Sequence, residues 1–252
     1  VTSQPQLTIE SAKPIIPTST KDSEIVWRAG FEEANLSEFD KVGGFIKQGS
    51  SGRYSFVTSP SYNGNYSIGL TIDTLAPSQT GAHASYLFYW NELPEDAYYY
   101  SAWYYIPATV VPGDWWNIMQ WKSTYDGNSD NSIAVYVINV RDTRGFLELV
   151  LVYMPDQREK IEIYQDILKV PTDTWFHIEA YYKKTKDKTG QVIVWQDGTQ
   201  IFNITDTPTT LSDYKIYWSV NNYTDSIKPN PLTIFIDDIA ISKSRLGQYI
   251  IP

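Results

Sequence analysis

The sequence predicts an all-β protein built as an antiparallel two-sheet jelly-roll sandwich, and three observations carry that prediction. Twenty tyrosines, nine tryptophans and nine phenylalanines make up 15% of the 252 residues, and together with abundant Val, Ile and Thr they favour a pleated, half-buried surface over a helix. No long run places apolar residues at i, i+3, i+4 and i+7, so amphipathic helices are not expected. Turn signals also recur at short intervals, at Asn63-Gly64, Pro112-Gly113, Asp126-Gly127, Arg144-Gly145 and Thr189-Gly190, cutting the chain into strand-length pieces.

Taken in order, Glu24–Arg28 begins the strand-like material, and a short turn follows at Leu36–Phe39. Strands are then expected at Tyr54–Thr58, Tyr66–Asp73, His83–Trp90, Tyr98–Ile106, Trp115–Ser123, Ser132–Val140, Phe146–Met154 and Lys160–Tyr164. Five more follow at Trp175–Lys183, Gln191–Gln196, Thr199–Ile204, Lys215–Val220 and Thr233–Ser242. Asp197-Gly198 between two apolar runs is the clearest hairpin signal. Many short strands without intervening helices argue for two packed antiparallel sheets, one of them concave enough to hold a polymer.

A hydrophobic content of 42% lets a chain of this length bury one full core, so a single domain over 24–252 is expected. Residues 1–23 read as an extended Ser/Thr/Pro-rich leader or linker. The formal net charge of −9 disfavours nucleic acid and anionic membrane surfaces, and no stretch of about 18 apolar residues offers a membrane span. Without cysteine, disulfides, thiolate metal sites and thiol nucleophiles are excluded. The start at Val1 after no initiator Met, followed by the leader, fits a secreted or cell-surface protein. Sequons at Asn35, Asn65, Asn203 and Asn222 are compatible with that reading.

The densest chemical signal is Trp115-Trp116-Asn117-Ile118-Met119-Gln120-Trp121-Lys122. Indole rings offer platforms for the apolar face of a pyranose, and the interleaved Asn117, Gln120 and Lys122 offer donors that orient hydroxyls or a carboxylate. Simple alternation puts Trp116, Ile118, Gln120 and Lys122 on one face and Trp115, Asn117, Met119 and Trp121 on the other, so half must be core. Trp115, Trp116, Asn117, Trp121, Lys122 and Arg141 are the candidate binding residues for a polysaccharide. His177, alternating with Trp175 and Glu179, reads as lying on a solvated or packing face. Lys183–Lys188 reads as a charged hairpin loop. No nucleophile elbow, Walker loop, dinucleotide fingerprint or zinc spacing occurs, and Glu148, Glu162 and Glu179 do not single out a glycosidase pair.

Gly30-Phe31-Glu32-Glu33, Asp173-Thr-Trp175-Phe-His-Ile-Glu and Ile234-Phe-Ile-Asp237-Asp238-Ile-Ala-Ile-Ser242 resemble the framework of a concanavalin A-like jelly roll. More narrowly, Tyr104-Tyr-Ile-Pro107 followed by the tryptophan-rich segment resembles the heparin lyase I-like and glucuronan lyase-like polysaccharide lyases over roughly 26–243. The resemblance implies β-elimination of a uronic-acid chain, with His83, Gln120 and Tyr223 as the catalytic set. It also implies one structural Ca²⁺ at Glu32 and Asp238, whose hard oxygens suit that ion, and no organic cofactor. Two departures stand out: no Arg-x-Glu element lies near His83, and Asn221 replaces a glycine before Tyr223. A glycan on Asn222 would block the groove beside Tyr223, so that sequon is expected to be empty. Two other classes stay open, a non-catalytic carbohydrate-binding module and an assembly protein whose residues 1–23 add a strand to a neighbouring module or a second copy.

Overall fold

A computed structural model describes residues 22–107, 110–124, 132–155, 159–213 and 215–247. The strands are β1 Ile25–Ala29, β2 Gly43–Gln48, β3 Arg53–Val57, β4 Ser67–Ile72, β5 His83–Tyr89, β6 Ala97–Tyr105, β7 Val111–Pro112, β8 Trp116–Thr124 and β9 Ser132–Asp142. They continue as β10 Leu147–Tyr153, β11 Ile161–Ile163, β12 Trp175–Lys183, β13 Gly190–Gln196, β14 Thr199–Thr207, β15 Ile216–Thr224, β16 Ile227–Lys228 and β17 Leu232–Ser242. One sheet runs β14-β13-β12-β6-β17-β4-β3, with β1 also on β17; the other runs β11-β10-β9-β8-β15-β5-β2, and β7 pairs with β16. Every pairing is antiparallel, so this is the expected two-sheet jelly-roll sandwich. The strand-addition reading rests on the leader, which lies outside the described residues except for Asp22 and Ser23 in a short 3-10 turn. No described helix is long and apolar enough to cross a membrane.

Between the sheets, one continuous core takes alternate residues of both: Ile68, Leu70 and Ile72 of β4, Ala102 and Tyr104 of β6, and Met119 and Trp121 of β8. Trp121 stacks on Tyr182 of the opposing sheet at 4.9 Å between centroids. The Tyr104 hydroxyl donates to the Ile118 carbonyl at 3.0 Å, tying the layers together. Strand β2 was not expected from its Gly-Gly-Phe-Ile-Lys-Gln sequence. It forms because Gly43 approaches β5 so closely that a Cβ there would lie 1.7 Å from the Phe88 carbonyl oxygen, a contact only glycine allows. Strand β15 runs past its expected end at Val220 because the side chains of Asn221 and Asn222 find partners inside the sheet.

Candidate functional site

The outward face of the β11-β10-β9-β8-β15-β5-β2 sheet holds an open groove of about 460 Å³ crossing the strands. Tyr86 of β5, Tyr223 of β15, Asn117, Gln120 and Lys122 of β8, and Asn139 of β9 line it, with Lys160 at the far end. A β-bulge sets this arrangement. Between Asn117 and Met119 the register of β8 against β9 slips by one, so Asn117 and Gln120 open onto the same face although their spacing is odd. Trp115, Asn117, Gln120 and Lys122 therefore line the groove, while Trp116, Met119 and Trp121 are sealed in the core.

That shift corrects two of the expected binding residues. Trp116 donates its indole N–H to Asn222 Oδ1 at 3.0 Å inside the sandwich, and Trp121 packs on Tyr182, so neither can meet a sugar. Trp115 is the tryptophan at the groove, edge-on to Tyr223 at 4.7 Å and anchored by its N–H to Asp225 at 3.1 Å. His83 also departs from expectation. It pairs with Thr224 on β15, and alternation turns it to the same side as Ser85 and Leu87, away from Tyr86; it is buried beside Gly49, with Nδ1 unpartnered. Arg141 lies on the groove side of β9, but its guanidinium is taken by Glu162. Asn222 is fully buried and donates to the carbonyls of Leu70 and Leu232 at 2.9 and 3.1 Å, so in the folded protein this sequon has no room for a glycan.

Gln120 and Tyr223 do share the groove. Gln120 Nε2 donates to Ser219 Oγ at 3.1 Å, fixing the carboxamide from β15; Asn117 receives the amide of Asn221. Burial pushes the Lys122 ammonium below its ordinary pKa, and it has no carboxylate partner among the described residues. Burial raises the Tyr223 phenol, while hydrogen bonding with Tyr86 and Gln48 pulls it back down. The Tyr86 ring lies 5.2 Å from that of Tyr223, and its hydroxyl donates to Gln48 Oε1 at 3.3 Å. Sequence reasoning missed Tyr86 and Gln48: one sat among twenty tyrosines, the other on an unexpected strand. No described lining residue is Asp or Glu, so an acidic chain presents a locally cationic groove. Glu148 and Glu162 are ion-paired, and Glu179 lies on the other sheet.

Glu32 and Asp238, the expected calcium ligands, flank one loop. The Glu32 carboxylate accepts from the amides of Asn65 and Tyr66 at 2.8 and 3.1 Å and from Asn65 Nδ2 at 3.2 Å. Gly64 sits in that loop at φ 62°, a left-handed conformation that favours glycine. Asp237 accepts from the amides of Tyr62, Asn63 and Asp238 at 2.9, 3.3 and 2.8 Å. Burial and the adjacent Asp238 push it up to about 7. Among the described residues no three His, Cys, Asp or Glu side chains gather as a metal cluster, so a cation here would need backbone carbonyls as well.

A sandwich with a cationic, amide-lined groove on one sheet defines a class of glycan-handling jelly rolls. Residues 31–240 match the family model described as polysaccharide lyase, and the chain belongs to that family. Its fold is similar to the endo-β-1,4-glucuronan lyase from the fungus Trichoderma reesei, at 16% identity with a TM-score of 0.68, covering 88% of this chain and 97% of that one. It is also similar to the alginate lyase vAL-1 from Chlorella virus (10%, 0.60, covering 87% and 100%). A third similar structure is domain 4 of AbnA, an extracellular arabinanase from Geobacillus stearothermophilus, in complex with arabinotriose (14%, 0.51, covering 87% and 92%). No curated protein matches the sequence.

Proposed function

We propose that this protein cleaves a uronic-acid-containing polysaccharide by β-elimination, acting outside the cell because such a polymer does not cross a membrane. One observation carries the reading: a desolvated Lys122, with no carboxylate partner among the described residues, stands with Gln120 and Tyr223 in a groove whose described lining holds no carboxylate. Lys122, with the carboxamides of Gln120 and Asn117, neutralises the uronate carboxylate and so acidifies the proton on C5. Burial keeps Tyr223 protonated at rest, so it first gives its own proton to solvent as the polymer binds, and the phenolate then takes the C5 proton. As the C4–C5 double bond forms and the C4–O bond breaks, the same tyrosine returns the proton to the leaving oxygen, and no water is consumed. Hydrogen bonding with Tyr86 and Gln48, which pulls the Tyr223 phenol down, supports these two residues, rather than His83, as the groups that poise the tyrosine. The test is the ultraviolet absorbance of unsaturated uronate ends after incubation with glucuronan, alginate, ulvan and heparin. No product from any of them rejects the proposal.

The histidine-free groove favours one rival, a carbohydrate-binding module. Under it, Trp115→Ala abolishes retention on a glycan that the protein leaves uncut. A structural Ca²⁺ is proposed beside Asp237 and Asp238, where the like charges that push Asp237 up would be neutralised and loop 60–66 held in place. Glu32, already engaged by three N–H donors, braces that loop. A chelator should then lower the melting temperature, and added Ca²⁺ should restore it.

A further inference from the structure

The groove sheet carries a second charged centre that the proposed chemistry does not use. Arg141 of β9 and Lys160, just before β11, both engage the Glu162 carboxylate, Lys160 at 2.6 Å, and the Tyr164 hydroxyl donates to it as well. Next to Arg141 in register is Glu148 of β10, held by Arg144 at 2.9 Å. Arg141 and Lys160 thus share the single Glu162 carboxylate. Arg141 is largely enclosed with its Nε unpartnered, so it cannot follow a ligand, whereas Lys160 is partly exposed and lines the groove. Glu162 lies on the same face as Val152, its partner on β10. The ordering β11-β10-β9-β8 puts its backbone three strand spacings, roughly 14 Å, from that of Lys122. Ala134, Val137 and Met154 line the groove between them, an apolar floor suited to the faces of sugar rings.

We infer that Lys160, oriented by Glu162 and Arg141, is a second anion subsite, taking the carboxylate of a uronate residue further along the polymer whose reacting residue sits at Lys122. One carboxylate cannot neutralise two cations, so Lys160 keeps its pull on a second anion. Arg141 acts as a positioning residue. The substrate class follows: a run of uronates, charged at more than one position, held better than an isolated uronate in a neutral chain. This deepens the groove reading and rests on it.

The experiment measures binding rather than turnover, by calorimetry on the Tyr223→Phe protein with polyglucuronate, glucuronate disaccharide and a neutral β-1,4-glucan oligosaccharide. Lys160→Ala should weaken polyglucuronate binding about tenfold at low salt, or about 1.4 kcal/mol, and flatten its salt dependence. The disaccharide should lose much less. Lys188→Ala, which removes the same charge from the exposed hairpin loop, should change nothing. Equal losses in the Lys160 and Lys188 variants, or none in either, overturn the subsite. A Lys160-dependent affinity in a protein whose wild type makes no unsaturated product keeps the subsite and rejects the lyase chemistry. No polyglucuronate binding at all rejects the groove reading itself.

Discussion

The two sheets bury comparable chemistry on their outward faces and treat it in opposite ways. On the β12-β6-β17 side, Glu179 is sealed under the chain's own C-terminal segment: it accepts the amides of Leu246 and Gly247 at 2.6 and 3.1 Å and Arg245 Nε at 3.0 Å. Near it, His177 Nε2 meets Ser101 Oγ at 2.7 Å, and Tyr62 stacks on Trp103 at 3.6 Å. On the groove side Lys122 is also desolvated, yet the described chain brings it no carboxylate. Burial of a polar group therefore does not mark a site. What marks it is whether the protein itself supplies the partner, because an uncompensated desolvated charge costs stability that only a ligand restores.

The largest effect should come from Tyr223→Phe, which removes one oxygen and leaves the ring against Trp115 and Tyr86. If it is the proton acceptor, turnover falls about 10²- to 10⁴-fold while polymer binding persists, measured as unsaturated ends against calorimetric affinity. Undiminished turnover would move the chemistry elsewhere in the groove. Next comes Lys122→Met. Losing the carboxylate's electrostatic partner should cost about 10²- to 10³-fold in rate, yet the melting temperature should hold or rise, since a desolvated ammonium with no carboxylate partner among the described residues is replaced by an apolar chain of similar length. A large loss of stability instead would show that Lys122 has a structural partner and would erase the contrast between the faces.

How far the sequence reached follows the same division. The strands were legible because alternation and Gly-containing turns are local, and the hairpin at Asp197-Gly198 joins β13 and β14 as expected. The site was legible only in part. Gln120, Lys122, Asn117, Trp115 and Tyr223 reach the groove, but which tryptophans join them depends on a bulge between Asn117 and Met119 that alternation does not encode. His83 was misplaced by a single step: it and Ala84 are neighbours in sequence and face opposite sides of β5. Tyr86, two positions on from Ala84, holds the place beside Tyr223.

Glu179→Ala tests the covered face. It strands two backbone amides and leaves Arg245 without its carboxylate, so unfolding free energy should drop by about 3 kcal/mol, roughly 10 °C in melting temperature. Turnover per folded molecule should not change. A catalytic defect at unchanged stability would mean that this face communicates with the groove.

The smallest effect is a slope. Burial, reinforced by Arg245, holds the His177 imidazole down at about 3, whereas an unfolded histidine titrates near 6.5. Between those values the unfolded chain binds a proton that the folded one refuses, so the stability this site provides is complete above about 6.5 and drains away as the pH falls. The loss is about 1.4 kcal/mol per pH unit, or about 2 kcal/mol between pH 7 and pH 5. Glu179, raised by burial, works in the opposite sense, so the measurement must be a difference. His177→Gln keeps a polar side chain near Ser101 but cannot titrate, and its denaturant-unfolding free energy should fall less steeply with acid than that of the wild type. Parallel slopes would mean that the imidazole takes up its proton in the folded state, and that the covered face is open enough to admit water.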